Sequence, residues 1–155
     1  MKSKDAEKIL SQIDIAVTEI NSFTTASNSE KSYLAKFLVV FISGIYEESV
    51  ETIINEMVHK LGKPEVSTFV ENSIHISFRN PNMNKIKELL SKFGNISWIQ
   101  AIDSLPQDTK DAFDSICSNK NALAHGNPVT ITLIDVLDYY SKSRVVIEKI
   151  DELLL

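Results

Sequence analysis

The feature that most constrains the fold is a run of apolar residues at helical spacing between Leu34 and Leu61. Leu34, Phe37, Leu38, Phe41, Ile42 and Ile45 are followed by Val50, Ile53, Ile54, Met57, Val58 and Leu61, and Gly62 and Pro64 end the run. The spacing predicts one long helix that starts near Ser29 or Ser32. At about 100° per residue, the two sets centre on sides more than a quarter of a circle apart. Two faces of one helix therefore need cover. Either the helix wraps around a single core, or part of it serves a dimer seam.

The rest of the chain reads as helical too. Ile9, Ile13, Ala16, Val17 and Ile20 mark a first amphipathic helix, which gives way to a polar loop from Thr24 to Ser29. Ile74, Ile76 and Phe78 alternate with His75 and Ser77, as in a short strand, but no second strand is available to pair with it, so an extended connector is expected. Asn80-Pro81 opens a helix with Met83, Ile86, Leu89, Leu90 and Phe93 inward, closed by Gly94. A turn around Asn95 to Trp98 leads to Ser104-Leu105-Pro106, and Thr109, Ala112, Phe113, Ile116 and Leu123 then line a helix that ends at Gly126. Thr132 caps a last helix with Asp135 in its first turn and an apolar stripe from Leu133 to Leu154. The expectation is an all-α bundle of about five helices. No repeat and no linker divides it, so residues 1–155 are read as a single domain.

Composition narrows the function. With 155 residues and 43% apolar content the chain can bury a core, and a net charge of −5 argues against a broad basic face that coats nucleic acid. A small local phosphate site stays open. The longest apolar run, Phe37 to Ile42, falls far short of the roughly 20 residues that span a bilayer, and the polar opening Met1-Lys2-Ser3-Lys4-Asp5 lacks the apolar core of a secretory signal. Cys117 is the only cysteine, which suits a reducing compartment. A cytoplasmic protein without membrane attachment is expected. His59, His75, His125 and Cys117 sit in unrelated segments without a spaced pair, so neither a zinc site nor another cofactor is expected.

Chemistry concentrates in Lys120-Asn121-Ala122-Leu123-Ala124-His125-Gly126, where a helix runs out into Asn127-Pro128. With Ile116 at the centre of the buried face, Asp114, Ser118, Asn121 and His125 fall within about 40° of the opposite pole. They form a polar stripe. Lys120 lies only about 40° from Ile116, on the apolar side, where a lysine needs compensation. Either its stem covers apolar surface while the ammonium reaches water, or a carboxylate holds it, with Glu47 or Glu48 as the candidate partner. His125 also has two readings. It can be a charge complement at a helix C-terminus, or an accessible acid–base group ordered by Asn121 four residues earlier.

With these residues in view, the chain resembles the HEPN domain (higher eukaryotes and prokaryotes nucleotide-binding), in its RiboL-PSP-type branch. That branch carries arginine-asparagine, three residues and His-Gly, and the resemblance is strongest over residues 30–155. Glu47-Glu48 in the long helix, the segment from Asn80-Pro81 to Gly94 followed by Trp98, and the helix from Thr132 to Tyr140 match in order and spacing. The resemblance implies an α-helical homodimer whose motif helices face each other, so that Lys120, Asn121 and His125 of two copies make one metal-free RNA-cleaving cleft, with Glu47 and Glu48 supporting it. It also implies a toxin or anti-phage effector with an antitoxin or defence protein as partner.

One position departs from the pattern. Lys120 stands where the family has arginine, so a point charge replaces a planar fork that can grip two phosphate oxygens. The resemblance still implies attack of an RNA 2′-hydroxyl on the neighbouring phosphorus, with one His125 as base and the other as acid. Acid–base help of this kind is typically worth about 10²–10⁴-fold. The rival reading is a non-catalytic HEPN module that binds RNA, a nucleotide or a protein without cutting, and Lys120 and the acidic balance favour it.

Overall fold

A computed structural model describes residues 1–23 and 25–155; of the loop expected from Thr24 to Ser29, Thr24 lies outside the described residues. Seven α-helices and no strand are present among the described residues. They are α1 (Lys4–Ser22), α2 (Asn28–His59), α3 (Pro64–Ser77), α4 (Met83–Ser91), α5 (Ile96–Asp103), α6 (Gln107–Ala124) and α7 (Leu133–Leu154). The all-α reading holds. The two helices beyond the expected five are α3 and α5.

The correction at α3 has a plain physical cause. Ile74 and Phe78, four residues apart, are buried against the core, while Ile76 between them is 79% exposed. Alternation of period two was therefore a helical pair read through its outward neighbour. Pro64 at the first turn, with Glu65 beside it, starts this helix. At α5, Asn95 accepts from the Ser97 N–H and so converts the expected turn into an N-cap.

Caps set the long elements. α2 begins at Asn28, earlier than the apolar pattern suggests, because Ser27 and Glu30 form a capping box in which each side chain binds the other's backbone N–H. Thr132 and Asp135 do the same for α7. The start of α1 meets the far ends of two other helices, since Ser3 Oγ donates to Glu56 of α2 and the Lys2 and Ser3 N–H groups donate to the buried Asp151 carboxylate of α7. α1 is thus antiparallel to both. At the opposite end Tyr140 and Arg144 of α7 bind Asp14 of α1.

The core lies between α1, α2, α6 and α7. At its centre Tyr46 of α2 stacks on Phe113 of α6, with ring centroids 5.2 Å apart and planes 2° from parallel, and the Tyr46 hydroxyl pairs with Ser143 Oγ of α7 at 2.7 Å. Burial raises the Tyr46 pKa, so the phenol stays protonated and that bond persists. α3 lies along α2, and α4 packs against α5 and α6. No described helix is long and apolar enough to cross a membrane.

Candidate active site at the end of α6

The motif occupies the last turn of α6. His125 is the capping residue; its N–H reaches Asn121 O, the Gly126 N–H reaches Leu123 O, and the Asn127 N–H reaches Ala122 O at 2.9 Å. These bonds form a Schellman motif, which needs a left-handed residue after the cap. Gly126 supplies it with φ at 71°. The His125 side chain at this stop is exposed.

The polar stripe expected on α6 divides in the structure. Ser118 and His125 are exposed, whereas Asp114 and Asn121 are half-buried and engaged. Asp114 accepts the Met83 N–H at 2.7 Å and thereby caps the first turn of α4. Asn121 directs its amide to Cys117 Sγ, 3.6 Å away, instead of to the imidazole. Cys117 is buried, and burial pushes its thiol pKa up, with Asp114 adding to the shift. The thiol is a donor here: it points at Asn80 O, 3.4 Å away.

Lys120 is half-buried, and its ammonium donates to Asn80 Oδ1 in the loop between α3 and α4. Neither sequence reading of this lysine named that partner. The Glu47 carboxylate lies one step further on. Its Oε1 accepts from Arg79 Nη1 at 2.6 Å and its Oε2 from the Asn80 N–H at 2.9 Å. Glu47 and Lys120 are joined through Asn80 and do not form an ion pair. Glu48 is exposed on α2. Arg79 also approaches His75 Nε2 at 3.4 Å, and its hydrogen bond to Glu47 raises its pKa.

Two residues of this arrangement escaped the sequence reading, Arg79 and Asn80 as ligands of Glu47 and Lys120. The only local signal was the Asn-Pro step, which marks a turn but not what the turn binds. No set of three His, Cys, Asp or Glu side chains converges as metal ligands would among the described residues.

A family model described as RiboL-PSP-HEPN matches residues 2–155. The chain belongs to the RiboL-PSP-HEPN family. No curated protein and no solved structure matches it. The HEPN match takes in α1 as well as the region from residue 30 onward that carries the resemblance.

Proposed function

We propose that this HEPN chain, acting as one unit over residues 1–155, is a metal-independent endoribonuclease whose working site combines two copies. The observation that carries the proposal is the exposed His125 at a firmly capped helix end of a HEPN chain, with Asn121 and Lys120 four and five residues before it. One His125 takes the proton of an RNA 2′-hydroxyl as its oxygen attacks the adjacent phosphorus. The other His125 gives a proton to the departing 5′-oxygen. A 2′,3′-cyclic phosphate and a 5′-hydroxyl result, and both proton transfers are served without a metal ion. Lys120 balances charge on the phosphoryl oxygens, Asn121 orients the phosphate, and Glu47 acts from behind through Asn80.

A second copy is needed because a single motif holds one histidine. The uncovered part of α2 supports a seam between copies: Tyr33, Phe37 and Val40, at successive turns, are 72%, 57% and 45% exposed. RNA cleavage of this kind fits a cytoplasmic toxin or anti-phage effector held in check by an antitoxin or defence protein. The second reading, a HEPN module that binds RNA, nucleotide or protein without cutting, is favoured by Lys120 in the arginine position and by the net charge of −5.

Total RNA incubated with the purified protein in EDTA separates the two. The ribonuclease reading expects fragments ending in 2′,3′-cyclic phosphate from wild type and at least about a 10²-fold loss in His125→Ala. Intact RNA that is nevertheless retained by the wild-type protein would favour the binding module.

A further inference from the structure

Three polar groups of Asn80 are each tied to a different neighbour. Its N–H donates to Glu47 of α2, its C=O receives the Cys117 thiol, and its side-chain Oδ1 receives the Lys120 ammonium of α6. Among the described residues it is also the one non-glycine with a positive φ, at 54°. Asparagine tolerates this left-handed backbone better than most side chains, but it still carries a conformational cost that its surroundings must hold in place. The two backbone bonds do so. They fix a turn that presents an amide oxygen to Lys120.

The kind of acceptor matters. The carboxylate nearest this turn, Glu47, is occupied by Arg79 and by the Asn80 N–H, so Lys120 is held by a group without charge. A carboxylate there would restrain the lysine and cancel its charge together. An amide restrains it and leaves the charge available to a phosphate. Lysine has a flexible four-carbon stem and lacks the rigid fork of arginine, so a tether supplies the order that the substitution at position 120 removes.

We propose that Asn80 is the positioning residue for Lys120, a neutral tether that holds the ammonium at the site while leaving its charge for the scissile phosphate. This rests on the ribonuclease reading given above. Asn80 touches neither substrate nor reacting atoms and acts only through Lys120.

Two substitutions separate tether from turn. Asn80→Gly keeps the N–H, the C=O and the left-handed backbone, and removes the side chain with its Oδ1 acceptor. Asn80→Asp keeps the acceptor and makes it negative. In single-turnover RNA cleavage in EDTA, Asn80→Gly is expected to slow the reaction about 10- to 100-fold, the loss typical of a misplaced catalytic group. Asn80→Asp is expected to slow it as well, while melting at or above the wild-type temperature. Asn80→Gly combined with Lys120→Ala should be no slower than Lys120→Ala alone, because the tether has nothing left to hold. A wild-type rate in Asn80→Gly, or losses that multiply in the double variant, would overturn the proposal and leave Asn80 a turn residue. A wild-type protein that cleaves no RNA would overturn the ribonuclease reading instead. Melting of wild type, Asn80→Gly, Lys120→Ala and the double variant then decides whether Asn80 holds Lys120: shifts that fail to add sustain the tether, and additive shifts overturn it.

Discussion

Along α6, Thr109, Ala112, Phe113, Ile116 and Cys117 are buried, whereas Lys120 and Asn121 are half-buried and His125 is exposed. One helix thus passes from core to solvent in four turns. In the buried half, Phe113 stacks on Tyr46 and Asp114 caps α4, so the side chains are fixed by neighbours from two other helices. In the open half, order comes from single polar contacts, a Schellman motif behind His125 and one amide on Lys120. On the proposed function, stability and chemistry are divided between the halves. The first can be damaged without touching the proposed site, and the side chains of Lys120, Asn121 and His125 in the second contribute less to the fold than the buried ones do.

The largest effect on stability is expected in the buried half. Phe113 is 1% exposed, and Phe113→Ala removes both its volume and the Tyr46 stack, for a loss of about 3–5 kcal/mol in urea unfolding. A loss as small as that of a surface substitution would break the division drawn between the halves. Gly126→Ala comes next. A Cβ at Gly126 would meet nothing within 4 Å, so the cost is that of the left-handed backbone alone, about 1–2 kcal/mol. Because the Schellman motif sets where α6 stops, cleavage should fall by more than this stability change explains.

How much of this was legible in the sequence follows the same division. α4 and α7 could be read because apolar spacing agrees locally with a closing or capping residue, as at Gly94 and Thr132, although α4 starts at Met83 behind an Asn82 cap and not at Asn80-Pro81, where Asn80 has a left-handed backbone. α3 could not, since Ile74, Ile76 and Phe78 satisfy a strand and a helix equally, and only the presence of α2 decides which residues go inward. The site was legible as far as covalent order carries it. His125 before Gly126 states an exposed residue at a helix end, and the structure has it there. The partner of Lys120 was not, because Asn80 lies 40 residues away and a polar contact between loop and helix leaves no periodic trace.

The smallest effect on stability is expected at His125. His125→Ala should change unfolding by less than about 0.5 kcal/mol, as for an exposed residue whose backbone bonds are kept. A larger loss would mean that the imidazole serves the fold, contrary to the division proposed. Because His125→Ala should fold like wild type, it can be unfolded and refolded together with wild type in varying proportions. Cleavage in EDTA is then measured against the fraction of wild-type chain. If two His125 residues form one site, activity follows the square of that fraction, and an equal mixture retains roughly a quarter of the wild-type rate. A linear response, with roughly half the rate at equal parts, would contradict the composite site, and unchanged cleavage by pure His125→Ala protein would contradict the catalytic role of His125 altogether.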